Sequence, residues 1–136
     1  MPAVGYSGTP LAQKLGLKPS LRLLLLHQPA EYLRWLDTDI SGQVVRKGET
    51  PDWIHLFAIS RSVFEKEMRM LARVWKANPA VVIWVSWYKK SSGMSTDLTE
   101  DTVRNYALQN GLVDVKVCAV SEHWSGLKLV VPLNRR

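Results

Sequence analysis

Apolar and polar positions along this chain change period repeatedly, and each change predicts an element. Leu21-Arg-Leu-Leu-Leu-Leu-His27 is a compact apolar run ended by Pro29, the pattern of a buried strand. Residues 30–36 read as a short helix with Tyr32, Leu33 and Leu36 on its apolar side. Residues 43–46 read as a weak strand between Gly42 and Gly48. Trp53-Ile-His-Leu-Phe-Ala-Ile59 is apolar on both faces except for His55, again a strand. Phe64, Met68, Leu71 and Trp75 then recur at helical spacing behind Ser62-Val-Phe-Glu65, which matches a capping box, and Asn78-Pro79 closes that helix.

Ala80-Val-Val-Ile-Trp-Val-Ser-Trp87 is the most apolar stretch, so it is expected at the centre of a sheet covered on both faces. A polar loop over 88–97 leads to a helix capped by Thr99, with Leu98 and Val103 at hydrophobic-staple positions and Gly111 as its stop. Val113, Val115, Val117 and Ala119 alternate with polar residues, predicting a strand with one covered face. A turn over 121–126 returns as a final strand, 127–131. Strands alternating with helices predict an α/β, three-layer Rossmann-like domain with a mainly parallel sheet of five or six strands and a C-terminal antiparallel hairpin.

Length changes that picture little: 136 residues make one domain, with a Gly/Ser/Pro-rich segment over 1–20 and an α/β core over 21–133. In the opening segment Thr9 and Pro10 predict the start of a short helix and Gly16 its end. The composition excludes a disordered tail, a coiled coil and a cysteine scaffold. One cysteine, Cys118, rules out an internal disulfide and suits a reducing compartment. With no secretory or membrane-spanning pattern, a cytoplasmic location is expected.

Charge matters more. The net charge is +6, spread along the chain except for Arg61, Lys66, Arg69, Arg73 and Lys76 on one predicted helix.

In open α/β sheets ligands sit beyond the carboxyl ends of the strands. That rule gathers His27, the 88–97 loop and the 121–126 turn onto one rim. Lys89, Lys90, Ser91, Ser92 and Gly93 combine charge, hydroxyl donors and close backbone approach ahead of a helix, which suits an anion. The run lacks the order of a P-loop, and Glu100 and Asp101 already occupy the helix start; pairing of the lysines with Asp97 or those acids is the alternative. His27, Trp124 and Ser125 complete the candidate ligand-binding set. His123, beside Glu122, is the candidate proton carrier. His55 reads as a core histidine and Cys118 as a buried thiol, and the three histidines lack metal-ligand spacing, so no metal and no cofactor are expected. Trp75, Trp84 and Trp87 occupy core positions, whereas Trp35, Trp53 and Trp124 are candidate surface anchors.

Two resemblances follow from particular residues. Gly5-Tyr-Ser-Gly-Thr-Pro-Leu11, Lys14-Leu-Gly16, Trp84-Val-Ser-Trp87 with Lys89-Lys-Ser-Ser-Gly93, Thr96-Asp-Leu-Thr-Glu100, and 111–120 through Trp124-Ser-Gly-Leu-Lys128 resemble an uncharacterised bacterial domain-of-unknown-function family over nearly the whole chain. That family's pattern has proline at the position of Tyr88 and glycine at that of Ser20, and it brings no established activity. Leu15-Gly-Leu-Lys-Pro-Ser-Leu-Arg22, the order from Asp52 through Trp87 and the closing hairpin resemble class I methyltransferase folds. The glycine-rich methyl-donor loop is missing after the first strand, where His27-Gln-Pro-Ala-Glu31 stands, and one strand is missing.

That departure implies a reduced relative without catalysis. The expected function is therefore a non-catalytic binding or regulatory module that recognises a small anionic ligand or a protein partner at the rim. One alternative is a small enzyme acting on a phosphorylated or carboxylated substrate through Lys89, Lys90 and His123. Another is nucleic-acid binding through the 66–76 helix face, disfavoured because no aromatic residues interleave with the charges.

Overall fold

A computed structural model describes residues 8–136; the motif residues within 1–7 lie outside the described part. The chain forms α1 (Leu11–Lys14), β1 (Leu23–Leu26), α2 (Tyr32–Leu36), β2 (Trp53–Phe57), α3 (Arg61–Ala77), β3 (Val82–Tyr88), α4 (Glu100–Gln109), β4 (Val113–Ala119) and β5 (Trp124–Val130). The five strands make one sheet in the order β1-β2-β3-β5-β4. β1, β2 and β3 pair in parallel, and β5 pairs antiparallel with both β3 and β4. The sheet is thus mixed rather than mainly parallel. The closing hairpin inserts its second strand between β3 and β4, so the antiparallel strand lies inside the sheet and not at its edge. The weak strand expected over 43–46 contributes a single parallel bridge, Leu23 to Val44.

Alternation along the strands builds two apolar layers. Ile54, Leu56, Ile83 and Val85 face Phe64, Met68 and Leu71 of α3 and Val103 and Ala107 of α4. Trp53, Phe57 and Trp84 face the other way, against Leu11 and Leu15 near α1 and Tyr32 and Leu36 of α2. β2 is buried at all five positions because helices cover both its faces. Trp53 and Trp124, candidates for surface anchors, are core residues instead. Both lie on strands whose second face is closed by the α1–α2 layer.

Two local expectations shift for identifiable reasons. α3 starts at Arg61, with Ser60 rather than Ser62 as its cap: the Ser60 hydroxyl accepts the Val63 amide at 3.2 Å. A remote carboxylate, Asp97, takes the Arg61 amide at 2.8 Å, so a tertiary contact satisfies a helix-end donor before any Ser62–Glu65 box can form. In β4 the strict alternation fails. Val115 and Val117 are 56% and 48% exposed while Cys118 is buried, because the pairing with β5 shifts between Asp114 and Lys116 on an edge strand. Ser60→Ala should destabilise the protein by about 1 kcal/mol. Urea midpoints of the two proteins measure it, and an unchanged midpoint would mean Asp97 alone suffices to start the helix.

Gly126 has a packing reason. A Cβ there would stand 3.0 Å from Val120 Cγ2 and 3.3 Å from both Ser86 Oγ and the Trp84 ring.

Candidate functional site

The carboxyl ends of β1, β2, β3 and β4 share one rim, with the start of β5 beside them. The Lys89 amide donates to the His123 carbonyl at 2.9 Å, so the 89–93 and 121–126 segments lie side by side, as the rim rule requires. Between β3, β5 and the start of α4 opens a cleft of about 460 Å³. Lys89, Lys90 and Ser125 line it, together with Thr96, Thr99 and Glu100.

The charges in the cleft are arranged unequally. The alternative pairing of the lysines does not occur. Asp97 caps α3. Glu100 and Asp101 both bind Arg104, at 2.5 and 3.2 Å, and Asp114 completes that clamp at 3.0 Å. The Arg104 guanidinium is held charged first by its hydrogen bond to Glu100 and then by Asp114. Lys89 and Lys90 consequently have no acid within ion-pair distance among the described residues. The loop they start is held in shape: the Thr96 hydroxyl donates to the Ile59 carbonyl at 2.9 Å, and Thr99 caps α4 through the Thr102 amide. This arrangement can bind a small anion and can stabilise negative charge that develops on it.

The other candidates disperse. Ser91 and Ser92 lie in a one-turn 3-10 helix over Lys90–Ser92 that ends at Gly93, and the Ser92 hydroxyl accepts the Met94 amide. Trp124 is buried, tilted against Tyr88 with ring centres 4.2 Å apart, so it shapes the wall of the rim from within. His123 is exposed on its turn and joins the rim through its backbone carbonyl.

His27 stands apart, at the end of β1, in a left-handed backbone conformation (φ 57°). Its Nε2 lies 2.5 Å from Glu67 Oε2, and Lys47 Nζ donates to the same oxygen at 3.4 Å while lying 3.1 Å from Oε1. Burial pushes the Glu67 carboxyl up, and the hydrogen bonds and charges of His27 and Lys47 outweigh it, leaving the carboxyl below its ordinary range. Sequence reasoning missed Glu67. Its signal was a carboxylate in the apolar stripe of α3, between Phe64 and Leu71.

Two further buried groups do not face the rim cleft. His55 is enclosed between Tyr32 Oη and Ser86 Oγ, each at 2.7 Å, and burial lowers its pKa to about 3. Cys118 is buried, and burial raises its thiol pKa. No group of three or more His, Cys, Asp or Glu that could hold a metal occurs among the described residues. No helix among them is long and apolar enough to cross a membrane.

No protein-family model matches the chain, and neither does any curated protein. Solved structures do. A protein of the NADB-Rossmann superfamily from Streptococcus agalactiae is 12% identical, with a TM-score of 0.54 over 96% of this chain and 71% of that one. Magnesium protoporphyrin IX methyltransferase (ChlM) from Synechocystis PCC 6803, solved with bound SAM, is 11% identical, with a TM-score of 0.55 over 90% and 74%. A pericyclic reaction enzyme is 12% identical, with a TM-score of 0.53 over 90% of this chain, which spans 39% of that enzyme. The fold is therefore Rossmann-like, with neighbours among class I methyltransferase folds. The expectation of a non-catalytic binding module does not stand. The neighbours that share the architecture include a SAM-bound methyltransferase and a second enzyme.

Proposed function

We propose that this chain is an enzyme built on a methyltransferase-like fold and that it takes a small anionic substrate in the cleft between β3, β5 and α4. The observation that carries the reading is the pair Lys89 and Lys90 on one wall of that cleft, without acidic partners, at the end of the sheet where α/β folds hold ligands. Lys89 and Lys90 bind the anionic group, and their ammonium charges favour a transition state that gathers negative charge beside them. Ser125 supplies a hydroxyl from β5. The Lys14-Leu-Gly16, Trp84-Val-Ser-Trp87, Lys89-Lys-Ser-Ser-Gly93 and Trp124-Ser-Gly-Leu-Lys128 motifs place the chain, on this reading, in the bacterial domain-of-unknown-function family.

The fold family implies an adenosyl methyl donor, and the residues at the end of β1 do not fit its usual seat. The chain pairs with Val44 on one side of β1 and with β2 on the other, so the switch of direction across the sheet falls there. Such a seat needs small residues that let the backbone approach the cofactor. Here His27 puts a Cβ and an imidazole into that place, and Glu67 pins the ring. The presence of a pericyclic reaction enzyme among the neighbours supports an architecture that houses more than one kind of reaction.

The test is turnover of a panel of phosphorylated and carboxylated metabolites, followed by mass spectrometry with and without S-adenosylmethionine. We expect one class of anion to be converted. In Lys89→Ala/Lys90→Ala, kcat/KM should fall about a hundredfold, the scale of losing a charge-stabilising donor. A panel with no turnover in either condition overturns the enzyme reading. Consumption of S-adenosylmethionine that is unaffected by the lysine variant overturns the assignment of the cleft.

A further inference from the structure

The cationic face of α3 and the groove beside it have no part in the rim cleft. Lys66, Arg69, Arg73 and Lys76 are all exposed, and none has an acid within ion-pair distance among the described residues. Glu65, the nearest acid in sequence on the exposed side, is taken by Arg61 at 3.1 Å. At 1.5 Å of rise per residue the four charges span about 15 Å of helix.

Alongside them lies a groove of about 330 Å³, walled by Leu24, Met70, Leu71 and Val74, with Arg73 and Lys47 also lining it. Met70 is 53% exposed in the middle of α3. The groove exists because β1 is an edge strand. After the single bridge at Val44 the chain turns over at Lys47–Thr50 and leaves one flank of α3 uncovered. Two acids also line it. Glu67 is ion-paired with Lys47 and hydrogen-bonded to His27, and the Glu49 carboxylate accepts the Arg46 amide.

We propose that this face docks an acidic amphipathic helix of a partner protein, its apolar stripe in the Met70 groove and its carboxylates along Arg73 and the neighbouring cations. Charge and shape select this occupant. A nucleic-acid backbone would meet the cations and leave the apolar groove empty. A bilayer is flat where this surface is concave. A small amphiphile would fill the groove and use Arg73, leaving the rest of a 15 Å cationic row unmatched. A helix with apolar residues at i, i+3, i+4 and i+7 and acids on the adjoining side meets both features along their full length.

The experiment is selection from a displayed library of helical peptides on the intact protein, with Arg69→Glu/Arg73→Glu as counter-target. Fluorescence polarisation of the enriched peptides then measures affinity. Enriched sequences are expected to carry the apolar stripe and an acidic face. Met70→Asp and Arg69→Glu/Arg73→Glu should each weaken binding at least about tenfold, and binding should fall with added salt. All three positions are solvent-facing, and circular dichroism confirms that the variants keep their helix content. The proposal is overturned by no enrichment over the counter-target, by enriched peptides without the acidic pattern, or by affinity that ignores Met70→Asp. Tighter binding to a DNA duplex or to phosphatidylglycerol vesicles than to the selected peptides overturns it as well.

Discussion

Trp84→Ala is expected to destabilise the protein by about 3–5 kcal/mol, the range for deleting a large core aromatic. For a domain of this size that is a drop in Tm of roughly 10–20 °C. Trp84 is fully buried at the centre of the sheet, and it does more than fill space. Its indole N–H donates to the Leu15 carbonyl at 3.1 Å, and the indole of Trp53 donates to the same oxygen at 2.9 Å. The two rings thus hold the end of α1 against the sheet. Trp84→Phe keeps most of the apolar volume and removes one of these donors, so about 1–2 kcal/mol is expected from it. Urea denaturation of the three proteins separates the packing and hydrogen-bond parts. Equal losses in the two variants would place the whole effect in the Leu15 contact.

Acid is expected to act through His55. Its pKa is about 3 in the folded protein against 6.5 for the free side chain, because burial disfavours the imidazolium. Between those values the unfolded chain binds a proton that the native state refuses, so stability falls as pH falls. The stability is fully present above about pH 6.5, and it declines by up to about 1.4 kcal/mol per pH unit toward pH 3. Glu67, whose carboxyl is lowered in the folded state, adds its own loss only as the pH falls below the normal carboxylate range. The two are therefore separable above about pH 5. His55→Gln cannot titrate and retains groups for Tyr32 and Ser86. It should be less stable at pH 7 and nearly flat between pH 6.5 and 5, where the unsubstituted protein slopes. Parallel slopes in the two proteins would remove His55 as the cause.

Local signals in the chain were enough for most elements. The apolar run before Pro29, the helical spacing of Phe64, Met68, Leu71 and Trp75, and the Thr99 cap each act within a few residues. Periodicity and capping report such forces directly. The Ser62–Glu65 box misled because the competing contact, Asp97 on the Arg61 amide, comes from 36 residues away. The β4 pattern misled because burial on an edge strand depends on its register with β5, and that register slips at Asp114. For the candidate site, the sequence located the Lys89–Gly93 segment and the 121–126 turn, since both follow from the rim rule. It could not show that the lysines stand unpaired, because that depends on Arg104 gathering Glu100, Asp101 and Asp114.

By itself, then, the pattern of hydrophobic and polar positions determined the α/β class, the order of the elements and which loops share one rim. Tertiary structure alone decided the rest. It inserted β5 inside the sheet, turned Trp53 and Trp124 inward, and closed the end of β1 with His27 and Glu67. It also left one flank of α3 uncovered. The physical reason is range. Backbone preference and helix capping are settled by neighbours along the chain, whereas burial and ion pairing are settled by groups brought together from distant positions.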